Sequence, residues 1–218
     1  MAFRTLTVEE FSDMLAAKTP APGGGAVAAV TAAHAAALGA MVLEFTIGKP
    51  KFATSDESNA SALRRLIQLR HHALELADRD AEAYGALNAL WKLPKDAPTR
   101  LAAWDAAVAA AIDAPQAILD TAAEIATTCS ALAAGTNANL ASDLAIAIEL
   151  SSRFKKLFFD SSQLLHKRHI VLASILGVGI RSDRRQAGIA ERRGAKKIPR
   201  AAPWSQPRQR YRRLWRPA

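Results

Sequence analysis

The longest apolar stretch of the chain runs from Ala26 to about Phe45, with no charged residue before Glu44. Alanine, the best helix former, makes up much of this stretch, and the pattern therefore predicts a helix. A helix that is apolar on every side belongs in the middle of a bundle or in a membrane. This stretch is poor in strongly apolar residues, contains His34 and Gly39, and falls short of the roughly 20 strongly apolar residues of a typical span. We therefore predict a buried helix in a soluble protein.

Two further helices are predicted in the first half of the chain. Thr7 and Glu10 have the spacing of a capping box at the start of a short amphipathic helix. A long helix is predicted from near Ser55 to about Trp91, because apolar residues recur there at helical spacing. Its expected core side consists of Leu63, Leu66, Ile67, Leu74, Ala77, Ala81, Tyr84, Leu87 and Trp91.

The second half of the chain continues the helical pattern as far as about Leu150. Helices are predicted over roughly 99–113 and 116–133, with Pro115 breaking or kinking the chain between them. A further helix starts near Ser142, after a polar turn. Strand-forming aromatic and β-branched residues are sparse, so the predicted class is all-α, an up-and-down helical bundle with short connections.

The positive charge of the chain is concentrated at its C-terminal end. The net charge is +9, but residues 181–218 alone carry 13 Lys and Arg against two acidic residues, which leaves the first 180 residues slightly negative. We predict a helical domain over 1–180 and a basic, Arg- and Pro-rich tail over 181–218 that is mostly disordered. Nucleic acid is a candidate partner only for this tail, whose Trp and Tyr residues lie among arginines. We favour a solvated extension without function.

Cysteine content and the N-terminal residues bear on the compartment. The single cysteine, Cys129, excludes an internal disulfide, and residues 1–7 do not have the pattern of a signal peptide. The expected localisation is therefore cytoplasmic.

A proline- and glycine-rich segment precedes the apolar helix. Pro22 is followed by three glycines, Gly23, Gly24 and Gly25. Glycines allow positive φ and a close approach of the backbone to a neighbouring group, and the N-terminus of a helix favours an anion. The spacing fits neither a Walker motif nor a dinucleotide fingerprint. The segment is therefore either a ligand-binding turn or only a tight connection.

Among the carboxylates, Asp80 lies on an apolar stripe of the long predicted helix. The stripe, at steps of three or four, consists of Ala73, Leu76, Asp80, Tyr84, Leu87 and Trp91. Desolvation there favours the protonated form and raises the pKa of Asp80, which suits a proton carrier near neutral pH. The alternative is a capped or ion-paired structural acid. Three carboxylates fall off the stripe and are predicted to be solvated: Glu75, Asp78 and Glu82.

A polar cluster follows the helix predicted over 116–133. It consists of Asn137, Asn139, Ser142 and Asp143. Helix capping by Asn139 or Ser142 explains such a string, and its amides equally suit a flat heterocycle with several donors and acceptors. No constellation of metal ligands is visible in the sequence.

In order and spacing, several segments resemble the cyclodeaminase/cyclohydrolase family of folate enzymes. That family includes the C-terminal domain of formiminotransferase-cyclodeaminase and stand-alone bacterial methenyltetrahydrofolate cyclohydrolases. The proline–triple-glycine segment joined to the Gly-Lys stretch is the most specific match. The matching segments are 11–15, 19–25, 38–42, 46–49, 51–52, 80–84, 93–95 and 139–143, within residues 5–150.

The resemblance implies a metal-independent enzyme that forms or hydrolyses 5,10-methenyltetrahydrofolate. It implies an all-helical homodimer that binds a reduced folate, with tetrahydrofolate as the one-carbon carrier and Asp80 as proton donor and acceptor. Cyclodeaminase and cyclohydrolase activity stay open, with a lean toward the latter. A degenerate member that acts as a binding or scaffold protein through its tail is the alternative. The residues implied to line the folate site are Pro22, Gly23, Gly24, Gly25, Lys49, Asn137, Asn139, Ser142 and Asp143.

Two departures from the family pattern concern the glycine segment and the C-terminal third. Ala26 stands where relatives often have a serine after the glycines, so one hydroxyl group is missing. Past Leu150, the chain lacks the Asn-rich segment and the long final helix that are usual in the family.

Overall fold

A computed structural model describes residues 2–153, and this part of the chain contains helices and no β-strand. The predicted all-α class is confirmed, and the expected boundary at residue 180 and the basic tail lie outside the described residues. Three short 3-10 turns cover Phe3–Thr5, Pro50–Ser55 and Ala138–Leu140. The α-helices are α1 (Val8–Ala16), α2 (Gly24–Glu44), α3 (Asp56–Trp91), α4 (Pro98–Ala131) and α5 (141–153).

Helix α2 forms the centre of the main core, as its sequence predicts. Its alanines are almost all buried, and they pack with residues of α3, α4 and α5. The helices approach closely because small residues face one another: a β-carbon built on Gly39 would lie 2.7 Å from the Cys129 Sγ. Cys129 itself is fully buried, and burial raises the pKa of its thiol to about 11. Helix α2 is also long and apolar enough to cross a membrane, a property that it shares with buried core helices of soluble proteins.

One face of α2 remains partly uncovered by the described residues. Phe45 is 55% exposed, and His34 is exposed with its ring nitrogen bonded to the Val30 carbonyl at 2.8 Å. We call this stripe the open face of α2; at helical spacing it consists of Val27, Thr31, His34, Leu38, Met41 and Phe45. A mostly apolar face of this length is unusual on a surface that only meets water.

The predicted break at Pro115 is wrong, because α4 runs through this residue as one helix of 34 residues. Proline has no N–H to donate to the carbonyl one turn earlier, which costs the helix a hydrogen bond. Ala114 and Ile118 on either side are buried in the bundle. Their packing offsets the lost bond and keeps the helix continuous.

Helix α3 has the predicted bounds, but two aromatic residues assigned to its core side are exposed. Tyr84 is 42% and Trp91 is 46% exposed. The reason is that Asp80 lies level with the start of α2, so the last 11 residues of α3 extend about 16 Å past it. There Trp91 makes an edge-to-face contact with Trp104 of α4, at 6.4 Å between ring centroids.

The N-terminal segment packs along α3 and α1. The predicted capping box is confirmed: the Glu10 N–H donates to the Thr7 hydroxyl oxygen at 3.1 Å, and the Thr7 N–H donates to the Glu10 carboxylate at 2.8 Å. Phe3 is buried and meets the Phe11 ring edge-on at 5.8 Å.

Asp78 holds this segment in place, so the prediction of a solvated carboxylate is wrong for it. Its carboxylate accepts a hydrogen bond from the Phe3 N–H and lies 3.7 Å from the Arg4 guanidinium, with only 16% of the side chain exposed. Glu75 also approaches Arg4, at 3.6 Å, but its side chain is 59% exposed. Asp78 lies two residues before Asp80, so the same turn of α3 has one structural acid and one free of ion pairs.

Asp78→Ala is expected to lower the free energy of unfolding by about 1–3 kcal/mol, because it leaves a half-buried N–H of Phe3 without an acceptor. Glu75→Ala removes only an exposed ion pair and should cost about 0–1 kcal/mol. Urea unfolding of both variants measures the difference. Equal losses would show that Asp78 contributes no more than an exposed surface charge.

Candidate active site

The carboxylate of Asp80 lies against the first turn of α2. A β-carbon built on Gly25 would lie 2.3 Å from both carboxylate oxygens, and the Ala26 backbone N–H lies close enough to the carboxylate to lower its pKa. The predicted close approach of the glycine segment is therefore found at Gly25, and the group it approaches is Asp80. Two segments 55 residues apart in sequence meet at this point.

The glycines achieve this contact without the predicted positive φ. Gly23 has an extended backbone with φ −132°, and Gly24 and Gly25 already belong to α2. Among the described glycines only Gly48 has a positive φ, +77°. The feature that matters at Gly25 is therefore the missing side chain, not the backbone conformation.

The environment of Asp80 shifts its proton equilibrium in the predicted direction. Burial raises the pKa of the half-buried carboxyl, and the nearby Ala26 N–H opposes this with a smaller effect. Burial disfavours the charged form, whereas an N–H donor favours it. The group is thus a carboxyl whose protonated form is favoured but whose anion still has a donor, which suits both giving and taking a proton.

The other residues of the glycine segment border open space. A β-carbon on Gly23 or Gly24 would meet no atom of residues 2–153 within 4 Å, whereas Pro22 is buried in the loop. The N-cap residue of α2, Gly23, makes no side-chain capping bond. The surface beside Asp80 is therefore backbone with free N–H groups, which a ligand can approach closely.

The remaining predicted site residues cluster around the turn that follows α2. Lys49 is exposed and precedes the Pro50–Ser55 turn. Asn137 is tied to the same region, since its N–H donates to the hydroxyl of the buried Thr46 at 3.2 Å. Its side chain accepts from the Asn139 N–H at 3.2 Å. Asn137 is therefore the cap of the 3-10 turn Ala138–Leu140, which precedes α5.

Three residues of this cluster keep accessible side chains. Asn139 and Ser142 are exposed, and Asp143 is partly exposed in the first turn of α5. Together with Lys49 they place amide, hydroxyl, carboxylate and ammonium groups near the C-terminal end of α2. We call them the distal cluster: Lys49, Asn137, Asn139, Ser142 and Asp143.

Sequence reasoning missed a buried asparagine that supports the distal cluster. Asn59 is 3% exposed, and its side-chain amide donates to the Gly135 carbonyl at 3.0 Å. A β-carbon on Gly135 would lie 3.2 Å from the Ser55 hydroxyl oxygen, so this turn packs tightly on α3. A polar residue on the core side of a long helix was the signal available in the sequence.

The predicted site residues therefore form two groups that do not meet within one chain. Gly23, Gly24, Gly25 and Asp80 lie at the N-terminal end of α2, and the distal cluster lies beyond its C-terminal end. Helix α2 has 21 residues, so the two ends are about 30 Å apart. Within the described part of the chain, no group of three or more His, Cys, Asp and Glu side chains is placed to hold a metal ion.

The fold and this site can be compared with known proteins. The crystal structure of formiminotetrahydrofolate cyclodeaminase from Thermotoga maritima is similar to this chain, with a TM-score of 0.63 and 30% sequence identity. The similarity covers 70% of this chain and 76% of the Thermotoga protein. The fold of this chain is therefore similar to that of an experimentally solved structure.

Sequence comparison leads to the same group of proteins. Methenyltetrahydrofolate cyclohydrolase of Methylorubrum extorquens is 34% identical over 146 residues, which is 65% of this chain and 70% of that relative. Formimidoyltransferase-cyclodeaminase of Rattus norvegicus is 34% identical over 149 residues, but this chain spans only 27% of its length. The family model described as formiminotransferase-cyclodeaminase matches residues 7–153. The chain therefore belongs to the formiminotransferase-cyclodeaminase family.

Proposed function

We propose that the protein is a folate enzyme that forms or hydrolyses 5,10-methenyltetrahydrofolate, with Asp80 as its proton carrier. The observation that carries the proposal is the half-buried carboxyl of Asp80 beside the open backbone of Gly23 and Gly24. The similar proteins from Methylorubrum and Thermotoga are named for these two folate reactions. A proton-carrying carboxyl suits both of these reactions, because each moves a proton at a nitrogen or at water.

In the hydrolytic direction, water adds to the methenyl carbon and the bond from this carbon to one ring nitrogen breaks. Asp80 as carboxylate takes a proton from the attacking water, and as carboxylic acid it returns that proton to the departing nitrogen. The product is 10-formyltetrahydrofolate, and the second proton of the water leaves to solvent with the charge of the methenyl group. The half-buried position raises the pKa of the carboxyl and so makes its protonated form more accessible, as a proton carrier requires.

In the deaminating direction, the second folate nitrogen of 5-formiminotetrahydrofolate attacks the formimino carbon. This nitrogen loses its proton, and the former imine nitrogen, which carries one hydrogen, gains two protons before it departs as ammonia: one from the attacking nitrogen and one from solvent, whose charge remains on the methenyl group. Asp80 can carry the proton from one nitrogen to the other, since both are bonded to the same carbon. The same residue thus serves either reaction without a change of role.

We further propose that the enzyme is a homodimer in which each folate site takes residues from both copies. The one-carbon unit reacts at a single place, while Asp80 and the distal cluster lie about 30 Å apart in one chain. A two-fold dimer that pairs the open faces of α2 in antiparallel orientation sets the N-terminal end of one α2 beside the C-terminal end of the other. Each Asp80 then meets the partner copy's distal cluster, and the mostly apolar open face is covered.

The proposed reaction is tested by following the absorbance of the methenyl-folate chromophore with purified protein. Loss of absorbance from 5,10-methenyltetrahydrofolate indicates cyclohydrolase activity, and a gain from 5-formiminotetrahydrofolate indicates cyclodeaminase activity. Activity that survives a chelator supports the expected metal independence. Turnover of neither substrate would contradict the proposal.

The scaffold alternative makes a separate prediction for the same preparation. It requires RNA retention that weakens with salt and disappears when residues 181–218 are deleted. No observation on residues 2–153 and no similar protein favours this alternative. Expected cytoplasmic localisation and independence from membranes remain predictions.

A further inference from the structure

We propose that Gly25 is a positioning residue for Asp80: its missing side chain is the space in which the carboxylate reaches the N-terminus of α2. The inference rests on the proposed role of Asp80 as proton carrier. It separates Gly25 from the two preceding glycines, with which it forms a single motif in the sequence. Gly23 and Gly24 border open space and suit a ligand, whereas Gly25 serves another residue of the protein.

The three glycines differ in what a side chain would meet. A β-carbon on Gly24 has no neighbour within 4 Å, while one on Gly25 would overlap both oxygens and the Cγ of Asp80, at 2.3–2.4 Å. Both residues are helical, so the backbone conformation of each accepts an L-residue. The atoms that a side chain at residue 25 would meet first all belong to Asp80. Alanine there must push the carboxylate away or separate α3 from α2.

The place that Gly25 leaves free has a defined chemistry. The first N–H groups of a helix have no partner within the helix and lie at the positive end of its dipole. No side chain of the N-cap residue satisfies them in α2, and the Asp80 carboxylate, which comes from α3, lies close enough to the Ala26 N–H for this donor to lower its pKa. Asp80 thus supplies from another helix the acceptor that a capping side chain would provide.

The protonation of Asp80 depends on its position beside the first turn of α2. The first turn of α2 contributes no acidic or basic side chain, and on α3 the nearby Asp78 is engaged by Phe3 and Arg4. Burial raises the pKa of Asp80, and the Ala26 N–H opposes this shift. A carboxylate displaced toward solvent loses both influences and becomes an ordinary surface acid.

The test compares Gly25→Ala with Gly24→Ala, a matched change one residue earlier in the same helical turn. In Gly25→Ala we expect the pKa of Asp80 to fall toward its ordinary value, because the displaced carboxyl is hydrated. Turnover should fall about 10- to 100-fold, as for a small misplacement of a reacting group, and the acidic limb of the pH–rate profile should move to lower pH. Gly24→Ala should keep the pKa of Asp80.

The pKa is read by NMR titration of the Asp80 carboxyl carbon, assigned from its absence in Asp80→Asn. This readout needs no folate. If the wild-type protein turns over no folate, the proposed reaction is rejected, but a shifted pKa of Asp80 in Gly25→Ala would still uphold the positioning role. An unchanged pKa and unchanged turnover in Gly25→Ala would overturn the positioning role.

A stability cycle covers the case in which Gly25→Ala folds poorly. If the clash with Asp80 is the cause, the loss of unfolding free energy on Gly25→Ala should largely disappear in an Asp80→Ala background, where the Cγ and both oxygens are gone. An equal loss in both backgrounds would show that residue 25 acts through some other contact and would overturn the proposal.

Discussion

Asp80→Asn is expected to lower turnover of folate by about 10²–10⁴-fold, the usual contribution of a positioned acid or base. The amide keeps the shape of the side chain and still presents an oxygen to the Ala26 N–H, but it cannot carry a proton. Folate should therefore still bind, and the loss should appear in kcat more than in KM. Steady-state kinetics with the methenyl chromophore measures both.

The matched control is Glu82→Gln, which removes an exposed carboxylate two residues further along the same helix. Asp78→Asn is not a suitable control, because Asp78 has a structural role. Glu82→Gln should change turnover little. Equal losses in the two variants, or full turnover in Asp80→Asn, would rule out Asp80 as the proton carrier.

The pH dependence of stability provides a second view of the same residue. Because burial raises the pKa of Asp80 above its unfolded value, the unfolded chain releases this proton at lower pH than the native protein does. The contribution of Asp80 to stability is therefore fully present below the unfolded pKa and is lost as pH rises through the folded pKa. At neutral pH we expect Asp80→Asn to be as stable as the wild type or more stable, so lost turnover would not reflect unfolding.

The partial burial of Asp80 could be predicted from the sequence because its evidence is local. The apolar residues at helical spacing around it place it on a half-buried stripe, and the structure confirms the direction of its pKa shift. Asp78 was misjudged because its partners, Phe3 and Arg4, lie more than 70 residues away in sequence. Helical periodicity says nothing about such a partner.

Mixed dimers provide the second prediction, which tests whether two copies share each folate site. Asp80→Asn alone and a Lys49→Ala/Asn139→Ala double variant alone should both have very low activity at low folate concentration. When the two are co-expressed, mixed dimers should contain one intact site each, since one copy supplies Asp80 and the other an unaltered distal cluster. About a quarter of the wild-type sites should return for random pairing of subunits.

The control for complementation mixes two variants altered at the same end of α2. Co-expression of a Lys49→Ala copy with an Asn139→Ala copy should restore no intact site, because both changes fall in the distal cluster. If Asp80→Asn and the double variant also fail to complement although mixed dimers form, the site lies within one chain and the shared-site proposal is wrong. Size-exclusion chromatography of differently tagged copies establishes that the mixed dimers form.

The bounds of the helices were more predictable than the arrangement of their ends. Capping by Thr7 and Glu10, and the run of α3 to Trp91, depend on residues close in sequence. The continuity of α4 through Pro115 depends on burial of Ala114 and Ile118, which no local pattern reveals.

The division of the site residues into two groups could not be predicted either. Sequence spacing placed the glycine segment and the distal cluster in the same set of matching residues, with no indication of their distance. Their separation follows from the length of α2 and from the bond between Asn137 and Thr46, which fixes the cluster at the far end. Residue Tyr84 was assigned to the core for the same reason, since the sequence does not show where α2 stops covering α3.

The fully buried Cys129 gives this protein an internal reporter of opening. Its thiol packs against Gly39 in the middle of the bundle, and burial raises its pKa to about 11. Alkylating reagents attack the thiolate and need access to the sulfur, so they reach Cys129 only when α2 and α4 separate. In the limit of fast reclosing, the labelling rate measures the population of the open bundle without any denaturant. Cys129 thus allows the population of the open core to be measured in the unmodified chain, at the same temperature and pH at which its chemistry is assayed.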